Sequence, residues 1–377
     1  MNTNKFDDIR PYNNEEFLAA MQRIVDSEHF PLVAQYLYPD MDVDVLRSRM
    51  RNFTTIREFQ HDVMYHVNEV IIRKSTSGLT YGGIQHLSPN ERYLFVSNHR
   101  DIMLDACLLQ YVLVINGHET SEITFGANLM HPSFVVDIGK SNKMFKVERP
   151  NRMNAREFYL SSMHLSEYIR YCITEKNESV WIAQRNGRTK DGIDLTDQGI
   201  IKMFSMSRAK EPVEALAELH IVPVAISYEW ESCDILKARE LSLSRNTVYV
   251  KQPGEDLNSI LTGITQPKGQ VHIEICPPIT RSDLKLIADS HSASEFHREV
   301  AALIDKPIHA AYKLYPNNYI AHDLLTNTSQ YSSYYSEEQK TDFLKYLNRV
   351  NEYPDCDQTE IRQILLKIYA NPVNYKM

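Results

Sequence analysis

Apolar residues recur at helical spacing in two segments near the start of the chain, 14–26 and 54–73. A stretch that contains proline and tyrosine, 30–39, separates the two segments. We therefore expect a helical N-terminal region over residues 1–78.

Further along the chain, six short segments have the alternating or continuous apolar pattern that is typical of strands. They are 78–84, 93–97, 123–125, 179–183, 221–227 and 270–276. Helical patterns at 102–115 and 155–174 lie among them, and this alternation predicts an α/β domain over residues 79–280. Helical spacing then continues through 281–377, which predicts a helical C-terminal extension.

Composition and charge exclude some classes of protein. The chain has 377 residues, 43% of them hydrophobic, which is enough for a sizeable buried core. The 41 basic and 49 acidic residues give a net charge of −8, which argues against a nucleic-acid-binding protein. Any anionic ligand must therefore be held by a local group of basic side chains.

The cysteines and the N-terminus indicate a cytoplasmic location. Five cysteines are scattered without metal-binding spacing, so we expect reduced thiols, no disulfides and no bound metal. The first eight residues lack the features of a signal peptide, and the longest apolar run, about 106–115, is too short to span a bilayer.

The segment 96–105 places His99 between Asp101 and Asp105, where a strand is expected to end and a helix to begin. Imidazole is well suited to remove a proton from an alcohol near neutral pH, and a neighbouring carboxylate can fix its tautomer. A histidine beside acids at a helix start is also often part of a cap or a surface pair. This segment alone leaves both interpretations open.

Several catalytic classes lack their required motifs. His99-Arg100-Asp101 matches the start of a kinase catalytic loop, but the other kinase motifs are missing. Gly139-Lys140-Ser141 resembles the end of a P-loop, but Phe134 replaces the first glycine. No serine-hydrolase elbow and no zinc-ligand spacing occur. The simplest remaining nucleophile for a histidine base is a hydroxyl group of the substrate.

Five blocks, taken in order, resemble the glycerolipid acyltransferase superfamily, in particular the glycerol-3-phosphate and 1-acylglycerol-3-phosphate acyltransferases. The blocks are Ser97-Asn98-His99-Arg100 through Asp105, Gly126-Ala127-Asn128-Leu129, Ile138-Gly139-Lys140 through Arg149, Arg185-Asn186-Gly187-Arg188-Thr189-Lys190-Asp191-Gly192, and Val222-Pro223-Val224-Ala225. Each block is weak alone, and their order and spacing over residues 80–280 give the resemblance its weight.

The resemblance implies a mixed sheet flanked by helices, and an enzyme that moves a fatty acyl group to a hydroxyl of a glycerol phosphate or a lysophospholipid. The donor would be a thioester of acyl carrier protein or coenzyme A, and neither a metal nor a further cofactor would be needed. His99 would be the general base and Asp105 the acid that orients it. The product's acyl chain implies peripheral contact with the inner membrane surface.

The same resemblance assigns a phosphate-binding role to five residues. They are Arg149, Arg185, Gly187, Arg188 and Lys190. Guanidinium groups match phosphate oxygens, and a glycine lets backbone N–H groups approach an anion. The alternative is a solvated basic loop, which the residues taken without the flanking blocks would favour.

The chain departs from the family pattern at two places. Five residues separate His99 from Asp105 where the family has four, and Asp101 follows after one, so either acid could be the partner. If Asp105 is the partner, Asp101 is expected to cap the helix. Asn186 stands where the family has a glutamate, so a weakly active or inactive homologue that binds acyl chains or acyl carrier protein is the second hypothesis.

Overall fold

The computed structural model describes residues 5–149, 153–245, 249–354 and 356–376. Within these ranges seven strands form one sheet: β1 (Gly78–Gly82), β2 (Leu94–Ser97), β3 (Glu122–Gly126), β4 (Met144–Val147), β5 (Val180–Ala183), β6 (Ile221–Tyr228) and β7 (Gln270–Ile275). The α/β class and the strand positions predicted from the sequence are confirmed.

The strands lie in the order β1-β7-β6-β2-β5-β3-β4. β6 and β7 are antiparallel, whereas the other neighbouring strands are parallel, so the sheet is mixed as expected. β2, β3, β4, β5 and β6 therefore run in the same direction and end at one edge of the sheet. In open α/β sheets, ligands bind at this carboxyl edge.

Seventeen α-helices lie in the described ranges, and the first eight are α1 (Asn14–Asp26), α2 (Phe30–Leu37), α3 (Val43–Arg51), α4 (Ile56–Phe59), α5 (Tyr65–Ser75), α6 (Leu104–Ile115), α7 (Ser133–Ser141) and α8 (Ala155–Thr174). They continue with α9 (Gln198–Ser205), α10 (Pro212–Ala217), α11 (Asp234–Leu243), α12 (Glu255–Thr265), α13 (Arg281–Ser290), α14 (Phe296–Ala311), α15 (Pro316–Thr326), α16 (Glu337–Tyr346) and α17 (Gln358–Ala370).

The N-terminal region is helical, as predicted, but it contains more helix than expected. The stretch 30–39, interpreted from the sequence as a separator, carries α2. Its proline, Pro31, lies in the first turn, where the missing N–H costs no helical hydrogen bond. Pro31 therefore marks the start of a helix here, and Tyr38 caps its end.

The sheet is buried on both faces. Leu94 and Val96 of β2 pack into a core with α8, α9 and α14, whereas Phe95 packs into a second core with α6. This alternation follows from the two-residue period of a strand. Because α14 shares a core with β2, the C-terminal helices pack directly on the sheet, and the boundary near residue 280 stays a prediction.

Candidate active site

The segment after β2 leaves the sheet at a fixed position. The side chain of Asn98 accepts a hydrogen bond from Ile226 N (2.8 Å) and donates to Ile226 O (2.9 Å), so it extends the pairing with β6 by one residue. Asn98 also donates to Asp194 Oδ2 at 3.0 Å. His99 follows at the carboxyl edge of the sheet, outside α6.

Asp105 is the partner of His99. Its Oδ2 lies 2.9 Å from His99 Nδ1 and accepts hydrogen bonds from the backbone N–H groups of Arg100 (2.6 Å) and Asp101 (2.9 Å). Tyr228 donates to Oδ1 at 2.8 Å. The Asp105 side chain is fully buried, whereas that of His99 is 14% exposed.

Asp101 accepts hydrogen bonds at the start of α6, as expected of a capping residue, although the N-cap residue itself is Met103. Its Oδ1 accepts hydrogen bonds from the N–H groups of Met103 and Leu104, both at 2.8 Å, and its Oδ2 accepts one from Ser232. A bend over residues 101–103 separates His99 from α6, so the six-residue offset to Asp105 does not follow helical geometry. The two aspartates left open by the sequence therefore occupy distinct positions.

The hydrogen bonds of Asp105 determine which nitrogen of His99 is available. An ionised carboxylate can only accept, so Nδ1 carries the proton and a neutral imidazole has its lone pair on Nε2. Burial, followed by the charges of Asp105 and Asp101, raises the pKa of Tyr228 well above its ordinary value. Tyr228 thus stays protonated and donates to Asp105. This arrangement can take up a proton at Nε2.

Trp181 forms one side of the histidine site. Its ring meets that of His99 edge to face, with the centroids 5.8 Å apart. The indole N–H donates to Ser97 Oγ at 3.1 Å, which fixes the position of the ring. Because Trp181 lies on β5, the neighbour of β2, the sheet itself holds the imidazole in place.

A buried group of four charged residues lies behind His99, and sequence reasoning missed it. Arg100 is fully buried, its Nη2 lies 2.6 Å from Asp194 Oδ2, and its Nη1 lies 3.3 Å from Glu231 Oε2. Lys237 donates to Glu231 (2.5 Å) and to the carbonyl oxygen of Arg100 (2.6 Å). Each carboxylate thus has a cationic partner within the buried group, as buried charges require.

Residues 184–197, which we name the basic loop, close over His99. The N–H of Thr189 donates to the carbonyl oxygen of His99 at 2.7 Å, and the N–H of Asp197 donates to that of Gln184 at 2.9 Å. Gly187 has φ +77°, a backbone conformation that favours glycine, and a side chain there would meet open space. The loop carries four of the five residues predicted to bind phosphate.

Arg188 is the basic residue best placed for an anion. It is 8% exposed, and its Nη1 is buried without a hydrogen-bond partner among the described residues. Unsatisfied buried donors are uncommon in native proteins, and a bound anion would satisfy this one. Arg185, on the same loop, is partly exposed and makes no side-chain hydrogen bond within the described part of the chain.

Arg149 reaches the basic loop from the end of β4. Its Nη1 donates to Asn186 Oδ1 at 2.6 Å, and its Nε donates to Asn128 Oδ1 at 2.7 Å. Asn186, where the family has glutamate, thus positions this guanidinium through an uncharged amide. Lys190 instead forms an ion pair with Glu240 on α11, and burial lowers the pKa of Lys190.

Asp256 at the start of α12 completes this side of the site. Asn128 donates to its Oδ2 at 2.9 Å. Burial raises the pKa of Asp256, but hydrogen bonds from Lys251 and Asn128 and the charges of Lys251 and Arg188 leave it below the ordinary value. Asn128 lies in a block that carried the resemblance, but nothing in the local pattern marks Asp256.

In the described ranges, no group of three or more histidine, cysteine or acidic side chains is arranged to hold a metal ion. No helix among the described residues combines the length and the apolar character needed to cross a bilayer.

The similarity of this chain to known proteins is to solved structures. No protein-family model matches it, and no curated protein matches it. Among solved structures, the 1-acyl-sn-glycerophosphate acyltransferase PlsC from Thermotoga maritima is similar to it, with a TM-score of 0.38 and 12% sequence identity. The match covers 79% of this chain and 95% of that chain.

Proposed function

We propose that this protein transfers a fatty acyl group from a thioester to a hydroxyl of a phosphorylated glycerol, either glycerol 3-phosphate or a lysophospholipid. One observation carries the proposal: the hydrogen bond from Thr189 to the carbonyl oxygen of His99 joins an acid-supported histidine to the loop that bears Arg188. A base for a hydroxyl and a guanidinium with an unsatisfied nitrogen, Nη1, for a phosphate therefore belong to one site.

His99 acts as the general base. Nε2 removes the proton of the acceptor hydroxyl while the oxygen attacks the thioester carbonyl carbon, and Asp105 stabilises the imidazolium that forms. When the tetrahedral intermediate collapses, the C–S bond breaks and the thiolate takes the proton from His99. One C–O bond replaces one C–S bond, and the histidine returns to its starting state.

The acceptor's phosphate binds against the basic loop. Arg188 supplies its buried guanidinium, while Arg149 and Arg185 supply charge from the more exposed side. Gly187 keeps the loop backbone open to the anion. Lys190 orders the loop through Glu240, a role that differs from the direct phosphate contact expected from the resemblance.

The donor, the partners and the location belong to the same proposal. Either acyl carrier protein or coenzyme A delivers the thioester, and the acyl chain of the product brings the protein into peripheral contact with the inner surface of a membrane. The reaction itself requires no nucleic acid, metal or additional cofactor.

The test is an acceptor panel. The purified protein is incubated with palmitoyl-coenzyme A or palmitoyl-acyl carrier protein, together with glycerol 3-phosphate, glycerol, 1-acylglycerol 3-phosphate or 1-acylglycerol. The proposal expects acylated product, detected by mass spectrometry, from the phosphorylated acceptors, with several-fold less from their unphosphorylated counterparts. Equal acylation of both pairs would contradict the phosphate site. Absence of product from every pair would favour the non-catalytic binding module.

A further inference from the structure

The C-terminal extension contacts the basic loop at four positions, Asp191, Gly192, Asp194 and Thr196, and five residues of the extension make these contacts. We propose that these five residues, which we name the clamp, set the position of the basic loop over His99. They are Asp305, His309, Ile368, Asn371 and Tyr375. The inference rests on the proposed function and assigns a positioning role to a region whose role the sequence left open.

Tyr375 makes the central contact of the clamp. Its hydroxyl donates to Gly192 O at 2.8 Å and accepts from Asp194 N at 2.6 Å, so one phenol bridges two positions of the loop. Its ring stacks on His309 with centroids 4.0 Å apart and planes at 5°. His309 in turn donates from Nε2 to the carbonyl oxygen of Asp194 at 2.5 Å. Both backbone polar groups of Asp194 are therefore satisfied by the extension.

Two further clamp residues form hydrogen bonds with the loop, one at position 191 and one at position 196. Asn371 donates to Asp191 O at 2.7 Å. Asp305 Oδ1 accepts from the N–H (2.8 Å) and the hydroxyl (2.6 Å) of Thr196. The loop is thus fixed from residue 191 to residue 196 by side chains that lie more than one hundred positions away in sequence.

Gly192 shows how closely the extension approaches. It has φ +79°, and a Cβ built there would lie 2.3 Å from the carbonyl oxygen of Ile368 on α17. Both the backbone conformation and the space require glycine at this position. The end of α17 and the basic loop are therefore in direct backbone contact.

The clamp is connected to His99 through Asp194. The carboxylate of Asp194 accepts hydrogen bonds from Asn98 (3.0 Å) and Thr189 (2.7 Å) and pairs with Arg100 at 2.6 Å. Asn98 and Arg100 are the two neighbours of His99 in sequence, and Thr189 contacts the His99 carbonyl. A shift of Asp194 would therefore change the distance between His99 and Arg188. The acceptor must span this distance, because its hydroxyl meets His99 and its phosphate meets Arg188.

Tyr375→Phe tests the clamp because it removes both hydrogen bonds of the hydroxyl and keeps the ring on His309. The matched control is Tyr334→Phe, which removes a hydroxyl from a tyrosine that is 58% exposed on the same extension. The first measurement is amide hydrogen exchange over residues 185–194. The second is steady-state kinetics with each substrate varied in turn.

The clamp predicts faster exchange over 185–194 in Tyr375→Phe and a fivefold to tenfold rise, roughly, in the KM for the phosphorylated acceptor, with the KM for the thioester unchanged. Tyr334→Phe should match the wild type in both measurements. Unchanged amide hydrogen exchange over 185–194 in Tyr375→Phe would overturn the clamp. A lower kcat with both KM values unaltered would also overturn it, because that result indicates only a loss of active enzyme. If the wild type releases no thiol, the proposed function fails, and the exchange measurement still decides whether the clamp exists.

Discussion

At the residue scale, the geometry around His99 distinguishes two aspartates that the sequence could not. Both lie within six positions of the histidine, and the usual spacing of the family fits neither. The structure separates them because the chain bends before α6, so that Asp105 faces the imidazole while Asp101 faces the backbone N–H groups at the helix start. A pattern in sequence does not reveal such a bend.

Replacement of each aspartate by asparagine separates the two roles. Asp105→Asn removes the carboxylate that fixes Nδ1–H and stabilises the imidazolium, so we expect kcat to fall by about 10²- to 10⁴-fold. Asp101→Asn keeps an oxygen for the two N–H groups, so its activity should stay within a few-fold of wild type while the free energy of unfolding decreases. Thiol-release kinetics and urea denaturation measure the two effects. The reverse order of the two kcat values would mean that Asp101 serves the histidine.

Arg188→Met should weaken binding of the phosphorylated acceptor without lowering the free energy of unfolding. Methionine fills a similar space without a buried, unsatisfied guanidinium, so the free energy of unfolding should stay constant or rise by about 1–2 kcal/mol. The KM for the phosphorylated acceptor should rise at least about tenfold, since a charged hydrogen bond to phosphate is lost. Arg298→Met, at an exposed surface pair, is the control for loss of charge. An unchanged acceptor KM would show that Arg188 is structural.

At the element scale, the site is built where parallel strands end. His99 follows β2, Asn128 follows β3, Arg149 follows β4 and the basic loop follows β5. The chain order of these blocks was visible in the sequence, but the order of the strands in the sheet was not. Parallel pairing brings the four ends to one edge, and this pairing converts weak separate motifs into one site.

Asn186→Glu tests whether phosphate binding depends on an uncharged hydrogen-bond partner for Arg149. A carboxylate next to the guanidinium would reduce the positive charge available to a phosphate, so we expect the acceptor KM to rise about threefold to tenfold. Asn90→Glu adds the same charge at an exposed turn and should leave the KM unchanged. A higher kcat in Asn186→Glu would instead show that an acid at this position takes part in the reaction.

Much of the secondary structure could be predicted, but the charged interior of the site could not. Helix α8 has the predicted bounds, and β2 and β6 differ from their predicted bounds by one residue, because apolar periodicity dominates there. Arg100, Asp194 and Asp256 gave no signal, since a charged residue in sequence carries no mark of burial or of its partner. Their roles depend in part on contacts with residues distant in sequence, for example that of Arg100 with Asp194, 94 positions away.

At the scale of the whole molecule, the helices after β7 are part of the structure that holds the site. Helix α14 supplies Val300 and Ile304 to the core beneath the sheet and presents Asp305 and His309 to the basic loop. The hydrophobic pattern predicted helices here, but it could not show which surface they cover. Sheet and extension therefore pack as one unit around a shared core.

The pH dependence of stability tests how tightly this unit is packed around Lys268. Lys268 is fully buried, and burial lowers its pKa from 10.5 to about 8. Between these values the unfolded chain binds more protons than the folded one, so this lysine's destabilising contribution is full below pH 8 and shrinks as the pH rises towards 10.5.

Lys268→Met should therefore stabilise the protein at pH 7 by up to about 3 kcal/mol and by about 1 kcal/mol at pH 10. Urea denaturation of both proteins at each pH measures this, and the comparison cancels groups that titrate in both. A gain that is equal at the two pH values would show that Lys268 does not titrate in this window.

The central claim is that His99 is the base of an acyl transfer to a phosphorylated acceptor. The rate of thiol release from an acyl thioester tests this claim most directly. With a saturating phosphorylated acceptor, His99→Ala should lower this rate by about 10²- to 10⁴-fold, since it removes the proton-accepting group and leaves the basic loop in place. His291→Ala, at a surface histidine that directly follows α13, should release thiol at the wild-type rate. Equal thiol release by His99→Ala and the wild type would contradict the account.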